Sequence, residues 1–314
     1  MAKFLITGAA GFIGSKLATN LHDIGHRVIG VDNLSTGSTK NLSSIMNKPN
    51  FRFLNMDVCD MTDPNDSDLR LRGVDYVMHF ASLASPEDFS EYPIHILDTN
   101  LIGTRNMLEI ARTHKARFTF ASSSEVYGNT EVIPIPETYN GNSNIIGVRG
   151  CYDEGKRGGE AYCIAYMKEY GVDVRICRIF NTYGENMPDD GRAIPNLMKA
   201  INGGSYFRIY GTGTQTRAFL YIDDLVEGIL RQTFMEGLSG IPINLGATEE
   251  TSIQKLVAIV AQLSQEWIHV TNAPLPEDDP LRRLPDISRA KTLLDWEPTI
   301  DLEEGLRRTI DEWN

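Results

Sequence analysis

No stretch of the 314 residues approaches the roughly 18 consecutive apolar residues of a membrane span. The opening MAKFLITGAAGFIG is also too short in apolar length, and too rich in glycine, for the core of a signal peptide. Positive charge is scarce: 30 Lys and Arg stand against 42 Asp and Glu, a net charge of -12. That balance opposes general adhesion to nucleic acid or anionic membranes, so any basic binding site must be local. Cysteine is confined to Cys59, Cys151, Cys163 and Cys177, without CxxC pairing or metal-ligand spacing. Buried free thiols fit a reducing compartment, and the expectation is a soluble cytoplasmic protein. The six histidines show no metal spacing either, so no metal is expected, and His79 within VDYVMHFA reads as a core residue.

What is present is a core-forming composition with a rhythm. At 41% hydrophobic, the chain can bury a substantial core, as two ordinary domains or one large α/β domain with an appendage. Six apolar, β-branched or aromatic runs, KFLIT, RVIGVDN, FRFLNMDV, VDYVMHFA, RFTFASS and VDVRICRIFN, read as strands. Helical periodicity fills the intervals, in SKLATNLHDIG, LDTNLIGTRNMLEIARTH and the segment around Tyr152. Alternating strand and helix predicts an α/β fold with a doubly wound parallel sheet over residues 1–180. After Asn181 the rhythm breaks into Pro/Gly-rich loops and short elements, which predicts a smaller C-terminal substrate-binding lobe over 181–314. Elements at about 216–246 are expected to return to the sheet, and PLPEDDPLRRLPD, at 274–286, is the most linker-like stretch.

The motif TGAAGFIGS follows the first strand and opens the first helix. Gly8, Gly11 and Gly14 let a pyrophosphate approach the backbone N–H groups at the positive helix end, with an ordinary tight turn as the alternative. Asp32 ends the second strand, where a carboxylate can bind an adenosine ribose and repel a 2'-phosphate. Asn33 and Ser35 stand where an NADP site carries arginine, so NAD is the expected cofactor. Asp57 and Val58, at the next strand end, are candidates for adenine contact or a merely solvated terminus.

CYDEGKR, residues 151–157, places Tyr152 one helical turn before Lys156. Alone, such a pair is commonplace on helix surfaces. Beside a dinucleotide site and the strand end FASSSEVYG at 120–128, it has a chemical use. Making a phenol of pKa about 10 basic near neutrality takes roughly 3 units, about 4 kcal/mol of preference for the phenolate. Lys156 and a positive nicotinamide can supply that preference, while Ser123 hydrogen-bonds the reacting oxygen.

TGAAGFIG, SSSEVYG and Tyr152-X-X-X-Lys156 together resemble the extended short-chain dehydrogenase/reductase family, over almost the whole chain. CYDEGKR, RIFNTYG, DDGR, GTGTQTRAF and DDPLRRLPDI further resemble the UDP-glucuronate decarboxylases, which form UDP-xylose. The resemblance implies a Rossmann sheet and NAD held by Gly8, Gly11, Phe12, Ile13, Gly14, Asp32, Asn33, Asp57, Val58, Ala81, Thr99, Tyr152, Lys156 and Thr182. It implies a sugar nucleotide held by Asn181, Arg192, Arg217 and Arg283, with Tyr166 and Asn106 as further members. Arginines scattered through an acidic lobe would otherwise read as surface residues; on a diphosphate and a carboxylate they serve as bidentate clamps. Ser123, Ser124, Glu125, Tyr152 and Lys156 form the implied catalytic set.

The implied reaction is a lyase reaction through a 4-keto sugar, with NAD regenerated on the enzyme. A 4,6-dehydratase carries an acidic pair before Val-Tyr-Gly, and here Ser124 replaces its Asp; a 4-epimerase needs no glutamate at 125. An idle nucleotide-binding scaffold of the same fold is the reading from another class, which intact Ser123, Tyr152 and Lys156 oppose. Glu125 either assists carboxylate loss or C5 protonation, or is a strand-end carboxylate bonded to backbone. Ser85-Pro86-Glu87 stands where the decarboxylases often read Ser-Pro-Pro, and Leu284 replaces a basic residue; both departures border the sugar. The helices at 100–114 and 155–170 carry apolar residues beyond one stripe. Relatives pair these helices in a four-helix bundle, so a homodimer is expected.

Overall fold

The computed structural model describes residues 1–67, 69, 71–203, 205–274 and 282–313. All six expected strands form: β1 (Lys3–Thr7), β2 (Arg27–Asp32), β3 (Phe51–Asn55), β4 (Tyr76–His79), β5 (Arg117–Ser123) and β6 (Val174–Ile179). With the strand Pro242–Leu245 they make one seven-stranded sheet, ordered Pro242–Leu245, β6, β5, β4, β1, β2, β3. Every pairing in it is parallel, so the carboxyl ends of all the strands share one edge. Strand order reverses between β1 and β4, and in such sheets the crevice outside that reversal is where ligands bind.

Alternation along the strands divides the core between the two faces. Phe4 and Ile6 pack on one side with Leu17 and Leu21 of α1 (Phe12–Asp23) and with the helix Ile222–Phe234. Leu5, Val77, Phe118 and Phe120 pack on the other. That second face is covered by a run that begins with α2 (Pro86–Glu91) and α3 (Pro93–Asp98), passes through a π-helical turn at Thr99–Gly103, and ends in α4 (Thr104–His114). The long α5 (Gly150–Tyr170) lies against β5. A Cβ at Gly159 would fall 2.3 Å from the Phe120 ring, so a glycine there lets the helix approach the strand closely.

Beyond β6, the strand Thr216–Ala218 pairs with Glu250–Ser252 on one side and Arg282–Arg283 on the other, in a register that sets Arg283 opposite Arg217. Of the linker-like stretch 274–286, residues 275–281 lie outside the described residues. Its end is fastened to the body: Ile135 N–H donates to the Leu284 carbonyl at 2.8 Å and Asp286 N–H to the Ile135 carbonyl at 2.9 Å. All four cysteines are free; Cys151, Cys163 and Cys177 are buried and Cys59 is half-buried. Among the described residues, no helix is long and apolar enough to cross a membrane, and no cluster of ligating side chains could hold a metal ion.

Candidate active site

A cleft of about 560 Å³ lies at the carboxyl edge of the sheet, lined by strand-end residues and by Arg192, Arg217 and Arg283 from later in the chain. Its cofactor half begins where β1 turns into α1. Gly11 is the N-cap residue, with no side chain competing for the first N–H groups of the helix. Gly8 has φ +66°, and a Cβ on it would lie 2.7 Å from the Phe80 carbonyl carbon; a Cβ on Gly14 would lie 2.0 Å from the Gly8 oxygen. This is a cradle of bare backbone at a positive helix end, and it fits the pyrophosphate of NAD.

Asp32 accepts N–H bonds from Ala10 at 2.9 Å and Leu34 at 2.8 Å, which aims its carboxylate at the mouth of this cradle. Burial raises its pKa against those two bonds. Asn33 donates to Asp57 at 2.8 Å. Burial pushes Asp57 up, but the Cys59 N–H and Asn33 more than offset it, leaving its carboxyl below the ordinary range. Phe12, Ile13, Val58, Ala81, Thr99 and Thr182 line the same half of the cleft. His79 is a core residue as expected, 1% exposed, with Nδ1 2.7 Å from the Thr7 hydroxyl; burial, and then the nearby Lys156, pull its pKa down to about 3.

The reactive half is built where β5 ends beside the first turns of α5. Tyr152 is 7% exposed and stacks on Phe89, ring centres 5.0 Å apart. Burial raises its pKa; a hydrogen bond with Ser123 pulls the other way, Asp153 adds to the rise, and Arg192 and Arg149 oppose it. Lys156 donates to the Ala121 carbonyl at 2.9 Å, and burial draws its pKa down to about 7. Ser123 also accepts the N–H of Glu125 at 3.2 Å, capping the short 3-10 turn Ser124–Tyr127 that carries the glutamate. Glu125 is ion-paired through one oxygen with Arg149 and through the other with Arg283, while Arg283 also reaches Ser124 at 3.4 Å. Burial lowers Arg283 to about 10, still well above neutrality, so the guanidinium stays charged at neutral pH.

Asn181, Arg192 and Arg217 line the cleft beside Arg283, as expected of substrate clamps. Arg192 already grips Asp190, its Nε shared between the two carboxylate oxygens at 2.9 and 2.8 Å and its Nη2 2.6 Å from one of them. Glu87 and Asp88 line the cleft too; Glu87 rests where a Cβ on Gly191 would be, and Ser85 donates to the Asp190 carbonyl at 2.8 Å. Two expected substrate residues lie elsewhere and are corrected. Asn106 is buried on α4, donating to the Val58 and Cys59 carbonyls at 3.0 and 2.9 Å. Tyr166, on α5 well past Lys156, donates to Glu109 at 2.6 Å and packs in the core. Sequence reasoning passed over Arg149, because its partner Glu125 lies 24 residues away with no helical spacing to betray the pair.

A profile of the "NAD dependent epimerase/dehydratase family" matches residues 4–246. The chain belongs to that family. It is 45% identical over 309 residues to UDP-glucuronic acid decarboxylase 1 of Danio rerio, covering 98% of this chain and 72% of the relative. It is 42% identical over 306 residues to UDP-glucuronic acid decarboxylase 3 of Arabidopsis thaliana, covering 97% of this chain and 86% of the relative. Among solved structures, the UDP-glucuronic acid 4-epimerase of Bacillus cereus in complex with UDP-glucuronic acid and NAD superposes with a TM-score of 0.90 at 29% identity, covering 99% of this chain and 98% of that one. The family and the glycine cradle agree on NAD as the cofactor.

Proposed function

We propose that this chain catalyses the NAD-dependent decarboxylation of UDP-glucuronate to UDP-xylose through a 4-keto intermediate. The observation that carries the reading is Glu125 at the end of β5, paired to two arginines beside Ser124, in a family member 41–45% identical to decarboxylases over nearly its full length. Bound NAD supplies the site that takes hydride from C4 and returns it. Tyr152 removes the proton from the C4 hydroxyl, and Ser123 hydrogen-bonds the same oxygen. With C4 a ketone, the C5 carboxylate is β to a carbonyl and leaves as CO2. The electron pair rests in an enolate held by hydrogen bonds from Tyr152 and Ser123. Glu125 serves carboxylate loss or the protonation of C5, and Arg192, Arg217, Arg283 and Asn181 grip the diphosphate and the uronate.

A homodimer formed through α4 and α5, and a cytoplasmic location, belong to the same proposal. Exposed Ile102 and Tyr170 beside these helices support the first, and the buried free thiols the second. The test of the reaction is NMR of purified protein with UDP-glucuronate and catalytic NAD. A pentose nucleotide with the C6 signal gone is the expected product. A C4-inverted uronate would replace this reading with epimerisation, the activity named for the solved B. cereus neighbour.

A further inference from the structure

Each carboxylate oxygen of Glu125 is held by a different arginine, and the two arginines have different origins. Arg283 ends a two-residue strand after the second lobe's small sheet begins, next to Arg217. Arg149 is the N-cap residue of α5, three positions before Tyr152, and its own carbonyl accepts the N–H groups of Tyr152 and Asp153, each at 3.0 Å. Its side chain is not a loose surface cation: it is 19% exposed, and its guanidinium lies 5.5 Å from the centre of the Phe89 ring, the ring on which Tyr152 stacks. The same guanidinium therefore pairs with the glutamate and lies over the ring that supports the tyrosine.

Arg149 and Arg283 both pair with Glu125 and both line the cleft, and neither can serve an incoming carboxylate fully without releasing part of its hold on the glutamate. Arg283 is the one set beside a second cleft arginine, Arg217, whereas Arg149 is fixed over Phe89 at the start of α5. Once Arg283 turns to the substrate, the oxygen held by Arg149 is the remaining anchor. We propose that Arg149 is a positioning residue for Glu125: it keeps the glutamate oriented while Arg283 serves the uronate. The inference rests on the decarboxylase reading above and deepens it. It links the residue acting at C5 to the helix that carries the base acting at C4.

The test compares wild type, Arg149→Met and Arg149→Lys as full-length protein with NAD and UDP-glucuronate. Arg149→Met is expected to lower kcat by about 10²-fold, the scale of a displaced catalytic group, and to change KM by less than about threefold. Arg149→Lys is expected to recover most of the loss. C4 oxidation outruns the stalled steps at C5, so enzyme-bound NADH accumulates in Arg149→Met during a single turnover, visible in near-ultraviolet absorbance. The acid limb of the pH profile for C4 oxidation, read as the single-turnover rate of NADH formation, also moves upward in Arg149→Met. Arg149 is one of the charges that lower Tyr152, which otherwise faces Ser123, Asp153, Arg192 and the Lys156 ammonium. A purely structural residue would lower melting temperature and activity without NADH accumulation or a moved limb.

Should Arg149→Met fail to fold, Arg149→Gln, which keeps a donor and loses the charge, is read in its place with the same outcomes. Wild-type kcat with no accumulated NADH in the folded variant overturns the inference. Absence of a pentose nucleotide from the wild type overturns the decarboxylase reading instead.

Discussion

Lys156 directs its Nζ at the carbonyl of Ala121, 2.9 Å away, and sits 5.6 Å from the centre of the Tyr152 ring. The lysine thus does two things at once. It fastens α5 to β5, and it places a cation beside the phenol that β5's Ser123 also reaches. Its burial makes that cation costly, because the protonated amine has exchanged water for the Ala121 carbonyl.

That cost is measurable as a pH dependence of stability. The folded pKa of Lys156, about 7, lies below its ordinary value of 10.5, so the folded protein binds fewer protons between those two limits. The penalty is fully present below pH about 7 and is relieved as pH rises toward 10.5. Lys156→Met should therefore raise the unfolding free energy of the cofactor-free protein, by up to roughly 5 kcal/mol below neutrality, with the gain shrinking above it. Denaturant titrations at several pH values check this; a gain independent of pH would place the lysine in water-like surroundings.

Tyr152→Phe should lower kcat by about 10² to 10⁴, the usual share of a positioned acid–base group. The ring stack on Phe89 survives the change, so the melting temperature should stay near wild type. Retained turnover in the NMR assay would remove Tyr152 from the role of base.

Gly14→Ala tests the cofactor cradle. The new methyl would meet the Gly8 carbonyl at 2.0 Å, and the backbone of the loop has to move. Overpacking of this kind costs about 1–3 kcal/mol, and here it falls on the segment expected to hold the pyrophosphate. NAD affinity, followed by fluorescence quenching, should drop by about tenfold or more. Unchanged affinity would mean the pyrophosphate does not lie on this turn.

Sedimentation velocity at micromolar concentration should give a dimer, and Ile102→Glu, a charge on an exposed apolar residue next to α4, should shift it toward monomer. A wild-type monomer throughout that range would dismiss the α4/α5 pairing.

The sheet was legible because each strand is a nearly unbroken apolar run, the pattern of strands covered on both faces. The glycine loop and Asp32 were legible because a fixed distance along the chain, from strand to turn to helix, matches a fixed distance in space. The pair Tyr152 and Lys156 was legible for the same reason. Glu125 with Arg149 and Arg283 was not: the three come from separate segments, and only the folded chain decides which oxygen meets which arginine. Asn106 and Tyr166 show the opposite error. Both are polar residues on helices that flank the site, yet their hydrogen bonds are used to secure α4 and α5 to their surroundings.

The register that sets Arg283 opposite Arg217 also bears on how such a chain diversifies. Two of the arginines proposed to grip the sugar nucleotide come from a three-stranded patch assembled from distant stretches, whereas the residues proposed to transfer protons belong to β5 and α5. Because Arg283 of the patch also pairs with Glu125 at the end of β5, a change to this jaw is felt at the bench to which it is bolted.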